Sequence, residues 1–254
     1  MNDDSPATSK TAADAEDMAH ADIGLVAALI LTAKDAVVLT LLDPRANLGH
    51  PQNIEGMALT HQVQHLEHLV DHVARLGAEH PPIALDSVDF TVVDPVTLEA
   101  RFGHVLDYMA RVELEVDRNV LELMTMLPDP PEVDVHFYRD VWQPQEIQHG
   151  RILDELQVRL GRDNADADLD SIGTKLKVLG ALGHLGAFQD VSRMLYYVTG
   201  MATERSAVLA YNLLHDGVAE MGESAVAQTI IAPIRRQEPG HYAFYQLSAR
   251  LLWS

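Results

Sequence analysis

The sequence predicts an all-α protein built around a helical bundle. Through most of its 254 residues, apolar side chains recur at three-and-four spacing, which is the pattern of helices with one buried face. Proline and glycine interrupt these stretches at short intervals, so we expect short loops between neighbouring helices. In four of the stretches, glutamate or histidine stands in the middle of the apolar stripe, where the core of a bundle would enclose it.

The front of the chain is expected to contribute a tail and two further helices. Residues 1–20 are acidic and predict a disordered tail, after which residues 21–254 are expected to fold as one domain. Ile23–Leu42 is apolar and predicts a helix that leads into a short extended piece. Ala58–Gly77 predicts another helix. Its buried seam is expected to consist of Val63, Leu66, Val70 and Val73.

The bundle proper is predicted between about residues 98 and 252. Its helices are expected over Leu98–Leu127, Val135–Leu160, Ile172–Leu185, Phe188–Leu214 and Gly222–Leu252. The stripe of the first is predicted as Val105, Met109, Val112, Val116, Val120, Leu123 and Leu127. Pro128 ends that helix, and the acidic loop Gly161–Asp170 follows the second. Pro233 and Pro239 fall inside the last range, where each is expected to interrupt or kink the helix, or to accompany a π-bulge.

Charge and composition exclude several classes of function. The formal charge of −20 argues against nucleic acid and anionic membranes as partners, since both would repel this chain. Ile23–Thr32, the longest apolar run, has about half of the ~20 residues that cross a bilayer. The acidic first twenty residues do not resemble a signal peptide, so we expect a cytoplasmic protein. Because the chain has no cysteine, any metal site must use oxygen and nitrogen ligands.

Two Glu-x-x-His motifs stand far apart in the sequence, and each has a glutamate well upstream. The six candidate metal ligands are Glu113, Glu146, His149, Glu204, Glu238 and His241. On a helix, residues three apart share a face, so each motif aims a carboxylate and an imidazole at one point. Glu113 precedes Glu146 by 33 residues and Glu204 precedes Glu238 by 34, which predicts two helical hairpins with matching ligand positions.

Every candidate lies on the apolar stripe of its own predicted helix. Glu113, for example, follows Met109 by four residues and precedes Val116 by three. Four buried carboxylates would repel one another strongly unless cations neutralised them, and two divalent ions would do so. Such a donor set suits iron, manganese or zinc, and its many carboxylates favour iron or manganese. The competing interpretation of any one Glu-x-x-His is a solvated helix face, and the second motif, with Pro239 and Gly240, is alternatively a half-site that binds metal weakly or not at all.

A second group of candidate ligands lies on the helix predicted over Ala58–Gly77. The group consists of His61, His65, His68 and His72. These histidines share one stripe about 150° from the predicted seam, so a solvated flank is the favoured interpretation. A zinc or nickel site and a pH-sensitive face remain as alternatives.

Three segments resemble the soluble acyl-acyl-carrier-protein desaturases of the ferritin-like di-iron carboxylate superfamily. Trp142–Gly150 resembles the family pattern of Trp, three residues, Glu, two residues and His-Gly. Thr203–Ala207 is similar to the family's Gln-Glu-Arg-Ala-Thr, and Ile230–Tyr245 to its closing Glu-x-x-His helix. The similarity covers about residues 105–250.

This resemblance implies a ferritin-like four-helix bundle core with additional helices, in which all six candidates bind two iron ions, with manganese as an alternative. No further catalytic residue is implied. The implied enzyme is an O2-dependent oxidoreductase that uses external electrons to desaturate an acyl or other apolar substrate. An acyl carrier protein, a ferredoxin-like electron donor and a second copy in a homodimer are the implied partners. A di-iron oxygenase or N-oxygenase of small molecules, and a non-catalytic metal- or lipid-binding protein, are the alternatives.

The chain departs from the family pattern in three places. Ala207 replaces the threonine that follows the third-helix glutamate by three residues, and Gln237 replaces the acidic residue before the second motif. The family's tryptophan-containing segment near the front is missing, since Trp142 and Trp253 are the only tryptophans. These departures weaken the expectation of ordinary fatty-acyl desaturation more than that of the bundle.

Overall fold

A computed structural model describes residues 51–127, 129–169 and 186–253, and the regular secondary structure of these residues is entirely helical. The elements are α1 (Pro51–Glu79), a 3-10 turn (Leu85–Ser87), α2 (Pro95–Leu114), α3 (Val116–Met126), α4 (Glu132–His136), a first π-helical segment (Phe137–Trp142), α5 (Gln143–Arg159), α6 (Gly186–Glu220), a second π-helical segment (Val226–Ile231) and α7 (Ala232–Trp253). The predicted all-α class is confirmed. The predicted tail and the helices predicted over Ile23–Leu42 and Ile172–Leu185 lie outside the described residues.

Four helical segments form the bundle: α2 with its continuation α3, then α5, α6 and α7. Two apolar clusters fill it, one on each side of a polar layer. The tyrosine-rich cluster includes Leu69, Val73, Leu76, Val116, Val120, Leu123, Phe137, Tyr138, Trp142, Tyr197, Phe244 and Tyr245. The aliphatic cluster includes Leu98, Leu106, Met109, Ile152, Leu153, Leu156, Tyr211, Leu214, Val226, Ile230, Ile231 and Ile234. Each of the four helical segments passes from one cluster to the other. α5 and α6 run in one direction, and α2 and α7 run in the opposite direction.

The helix predicted over Leu98–Leu127 is two helices, because the backbone turns at Glu115. The carboxylate of Glu115 lies 2.6 Å from the guanidinium of Arg118 and so binds the start of α3. One member of the predicted stripe was wrong: Val112 is 42% exposed, whereas Ala110 and Glu113 are buried. Glu113 therefore enters the core from the last turn of α2.

The predicted seam of α1 was also wrong, except at Val73. Val63, Leu66 and Val70 are 44–48% exposed. The buried stripe instead consists of Leu69, Val73 and Leu76, with His72 half-buried between them. Both sets fit helical spacing equally well, and the neighbouring helix decides between them, because Gly240 of α7 leaves room for Leu76. His72 donates from Nε2 to the Gly240 carbonyl at 2.9 Å, so the predicted solvated flank does not hold for this histidine.

Of the alternatives expected at Pro233 and Pro239, a break in the last helix does not occur. Pro233 is the second residue of α7 and follows the second π-helical segment directly, and Pro239 lies inside a helix that continues to Trp253. The expected π-helical distortion does occur, but before Pro233, in the second π-helical segment. None of the described helices has the length and the hydropathy that crossing a bilayer requires.

Two glycines let the bundle helices approach closely beside the polar layer. Gly150, next to His149, faces the backbone of Leu114, next to Glu113. Gly200 of α6 faces the ring of Tyr245 of α7 in the same way. The absence of a side chain at Gly150 therefore sets how near Glu113 comes to His149.

Alanine at Gly150 is expected to destabilise the protein by about 1–3 kcal/mol, because the new methyl group would lie 2.7 Å from Leu114 Cγ and 2.9 Å from Leu114 N. Thermal unfolding measures the loss. Gly77→Ala is the matched control, since its methyl group would meet only a Val141 methyl at 3.2 Å. Equal losses in the two variants would contradict the assigned contact.

A buried carboxylate lies at the far end of the tyrosine-rich cluster. Asp134 of α4 accepts a hydrogen bond from the hydroxyl of Tyr197, which Arg193 approaches from the surface. Burial raises the pKa of Asp134 to about 6, although the Tyr197 hydrogen bond and the Arg193 charge act against that rise. Asp134 therefore makes a structural link between α4 and α6 that depends on pH.

Asp134→Asn is expected to become more stable relative to the wild type as pH rises from about 4 to 7. The folded protein holds the Asp134 proton more tightly than the unfolded chain, whose pKa is near 3.8, so wild-type stability falls as pH rises through that window. A difference of about 2 pKa units corresponds to about 3 kcal/mol. Urea unfolding at several pH values measures it, with Asp129→Asn, an exposed carboxylate five residues earlier in the chain, as control. A pH-independent difference would contradict the prediction.

Candidate metal centre

All six predicted ligands converge in the polar layer between the two apolar clusters. They form two overlapping groups, and within each group the ligand atoms lie within 4.8 Å of one another. The first group is Glu113, Glu146, His149 and Glu238; the second is Glu146, Glu204, Glu238 and His241. Glu146 and Glu238 belong to both groups, so the two glutamates of the Glu-x-x-His motifs are shared.

The first group surrounds Nδ1 of His149. This nitrogen lies 3.3 Å from Glu146 Oε2, 3.3 Å from Glu238 Oε1 and 3.9 Å from Glu113 Oε2. The three carboxylates come from α5, α7 and α2, so three helices aim oxygen atoms at the same nitrogen. Three oxygens and one nitrogen are a suitable donor set for one iron, manganese or zinc ion.

The second group repeats this arrangement around Nδ1 of His241. The distances are 2.9 Å to Glu146 Oε1, 3.7 Å to Glu204 Oε2 and 3.8 Å to Glu238 Oε2. The Pro239-Gly240 pair therefore leaves the second motif in place, because Glu238 and His241 converge with Glu204 as the first motif converges with Glu113. The two halves are related by an approximate twofold arrangement of donors.

The outer nitrogens of the histidines are held by two glutamines that cross between the motifs. His149 Nε2 donates to Gln237 Oε1 at 2.6 Å, and His241 Nε2 donates to Gln145 Oε1 at 2.6 Å. Each glutamine directly precedes the glutamate of the other motif, so the exchange links α5 to α7. This partner fixes the ring orientation of each histidine.

Backbone carbonyls after α1 determine which way the two glutamine amides point. Gln145 Nε2 donates to the His80 carbonyl at 2.5 Å, and Gln237 Nε2 donates to the carbonyls of Pro81 at 2.9 Å and His80 at 3.2 Å. A carbonyl oxygen only accepts, so the amide nitrogens must face these carbonyls and the amide oxygens must face the histidines. Both histidines then carry a proton on Nε2, which leaves Nδ1 as the lone-pair donor toward the centre.

Tyr211 of α6 orients the first carboxylate. Its hydroxyl donates to Glu113 Oε1 at 2.5 Å, while Oε2 of the same carboxylate faces His149. Tyr211 is fully buried in the aliphatic cluster. The hydrogen bond therefore fixes the side chain of Glu113 without help from solvent.

Burial and mutual repulsion dominate the electrostatics of the centre. Burial, followed by the charge of Glu146, raises the pKa values of Glu113 and Glu204 well above their ordinary range. Burial would also raise the pKa of Glu146, but hydrogen bonding to Glu113 and the nearby histidines lowers it well below the ordinary range. Burial disfavours a charged His241, yet Glu146 and Glu238 raise its pKa to about 10. The raised pKa values of Glu113 and Glu204 favour a proton on these carboxylates, and a bound metal ion would displace such protons.

Two buried atoms test whether the donor set fits metal ions. Glu238 Oε1 lies 3.3 Å from His149 Nδ1 and His241 Nδ1 lies 2.9 Å from Glu146 Oε1, but within the described part of the chain neither contact has the geometry of a hydrogen bond. A buried polar atom without a partner costs free energy, and a cation between the carboxylates would satisfy both. The residues of both groups are therefore suited to hold a metal ion. Among the described residues, the histidine stripe of α1 belongs to neither group of candidate ligands.

Three functional side chains are not among the predicted site residues. Gln145 precedes the first motif as Gln237 precedes the second, and this repeated Gln-Glu-x-x-His was the signal that could have revealed the pair. Nothing in the sequence singles out Tyr211, because its hydroxyl contact with Glu113 depends on how α2 and α6 pack. The comparisons with protein-family models, with curated proteins and with solved structures found no match.

Proposed function

We propose that this protein is a di-iron oxidoreductase that reacts with O2 and uses external electrons to oxidise an apolar substrate. The observation that carries the proposal is the pair of ligand groups that share Glu146 and Glu238. Because both groups include Glu146 and Glu238, they would hold two ions near each other, and the carboxylate-rich, cysteine-free donor set favours iron or manganese. When bound, the ions supply the redox chemistry and the activation of O2.

The side chains around the centre have three tasks in this proposal. The crossed glutamines hold both Nδ1 atoms toward the ions, and Tyr211 holds Glu113. The two apolar clusters keep bulk water away from the ions on both sides of the polar layer. A reaction that needs an unquenched oxidant benefits from such exclusion of water.

We propose that the substrate enters between α2 and α6. Glu113 and Glu204 are the ligands nearest to solvent, with 8% and 6% of their surfaces exposed, whereas His149 and His241 are fully buried. The same two helices carry exposed apolar side chains, among them Tyr108, Val112, Leu209 and Leu213. Ala207, one turn after Glu204, is small and only partly buried, and it packs against the aliphatic cluster.

Desaturation of an acyl chain is the proposed reaction, because the sequence similarity to the desaturases includes the ligand-bearing segments. An acyl carrier protein, a ferredoxin-like electron donor, a homodimer and a cytoplasmic location remain parts of the proposal. Arg151 and Arg159 are exposed on α5 and could meet an acidic carrier protein. Arg159 is already paired with Glu155 at 2.7 Å and lies over the ring of Phe90, so Arg151 is the better contact of the two.

The test is O2 consumption by protein loaded with Fe(II) under anaerobic conditions. We expect about two iron ions per chain, O2 uptake in proportion to the iron, and a product with two hydrogens fewer when an acyl chain is supplied with reductant. Glu146→Ala is the paired variant and should show neither iron binding nor O2 uptake. A protein that binds two iron ions but consumes no O2 would reject the redox proposal and leave a metal-binding protein.

A further inference from the structure

The Nε2 atoms of the two site histidines donate to neutral glutamine amides, although a carboxylate could accept the same hydrogen bonds. Gln145 and Gln237 are buried, and each accepts from a histidine Nε2 through its amide oxygen. We propose that this pair of amides tunes the centre toward divalent metal ions. The inference rests on the proposed metal centre and adds a preference for the charge of the ions.

The charges of the described residues balance two divalent ions. Four carboxylates carry four negative charges, and the histidines are neutral when Nδ1 binds a metal ion. Within the described residues, the carboxylate ligands form ion pairs only with the two histidines. Two divalent ions therefore give a neutral buried centre, whereas two trivalent ions leave two positive charges that the amides do not compensate.

The loop after α1 favours amides over carboxylates at positions 145 and 237. The carbonyls of His80 and Pro81 accept from the amide nitrogens of both glutamines. A carboxylate at either position would set oxygen against carbonyl oxygen and would lose these donors. α1 holds the loop in place, because His72 donates to Gly240 and Leu76 fills the space beside that glycine. The fold thus provides acceptors that an ionised carboxylate cannot satisfy, whereas an amide donates to them while it also accepts from histidine.

The experiment compares the affinities of the protein for Zn(II) and for buffered Ga(III), two ions with filled d shells that undergo no redox change here. The double variant Gln145→Glu with Gln237→Glu is expected to raise the ratio of Ga(III) to Zn(II) affinity by roughly tenfold or more, since each added carboxylate attracts the higher charge more strongly. The single variants should each shift the ratio in the same direction, which keeps the test valid if the double variant does not fold.

Two control variants separate the effect of an added carboxylate next to the histidines from the effect of a lost hydrogen bond. Gln148→Glu alters a third glutamine whose side chain also donates to a loop carbonyl, that of Ile83 at 3.0 Å, but whose other hydrogen bond is to Arg151 and not to a site histidine, so its ratio should match the wild type. Gln145→Met with Gln237→Met removes the hydrogen bonds without adding charge and should weaken both ions alike.

An unchanged affinity ratio in the glutamate variants that bind Zn(II) would overturn the inference. Failure of the wild type to bind Zn(II) would instead overturn the metal centre on which the inference rests. In the Zn(II)-loaded wild type, nitrogen NMR is expected to find both histidines protonated on Nε2. A proton on Nδ1 of either histidine would contradict the assigned amide orientation.

Discussion

Alanine at either shared carboxylate, Glu146 or Glu238, is expected to abolish binding of both metal ions, whereas alanine at Glu113 or Glu204 removes one. The reason is geometric: the shared glutamates offer oxygen atoms to both ligand groups, while each single glutamate belongs to one group. Loss of Glu146 or Glu238 therefore removes one oxygen donor from each of the two groups. We expect affinity to fall at least 100-fold for both ions in the first case and for one ion in the second.

Equilibrium dialysis against Zn(II), followed by metal analysis, measures the number of ions per chain. Glu115→Ala is the matched control, because Glu115 is only two residues from Glu113 yet pairs with Arg118 instead of facing the centre. The control should retain two ions. If Glu146→Ala retained one ion as Glu113→Ala does, the shared assignment of Glu146 would be wrong.

The convergence of the six candidate ligands could be predicted because helix periodicity assigns each residue to a face. A carboxylate such as Glu204 on an apolar stripe has to enter the core, whichever helices pack beside it. The matching separations within the two hairpins then bring the ligands of different helices to one level. Local pattern and spacing were therefore enough for the convergence of the centre, which depends little on the exact packing angle.

The hydrogen bonds that Gln145, Gln237 and Tyr211 make around the centre could not be predicted, because they depend on which helix faces meet. The exchange between Gln145 and Gln237 requires α5 and α7 to run in opposite directions beside each other. The seam of α1 depends on Gly240, which lies more than 160 residues away along the chain and accepts from His72. The break considered at Pro239 has the same explanation. The low helix propensity of proline is a local rule, whereas α7 continues through Pro239 in the folded protein.

Metal ions are expected to reverse the effect of the site carboxylates on stability. In metal-free protein, burial of Glu113 and Glu204 opposes their ionisation, so Glu113→Gln with Glu204→Gln should stabilise the chain by about 1–4 kcal/mol at pH 7. Glutamine keeps the volume and still accepts from Tyr211. In the wild type, two ions at about 1,000 times their Kd should add about 8 kcal/mol, and the variant should lose most of that gain.

Urea unfolding in the presence of chelator and then of excess Zn(II) measures both effects in the same two proteins. Glu99→Gln with Glu155→Gln is the control of equal charge change, because both glutamates are partly exposed and paired with arginine, so its stability should change by less than about 1 kcal/mol in either condition. A variant that is less stable than the wild type in chelator would mean that Glu113 and Glu204 stabilise the fold themselves. The opposite signs with and without metal are expected only if these carboxylates are buried in order to hold cations, since a purely structural network would lose stability in both conditions.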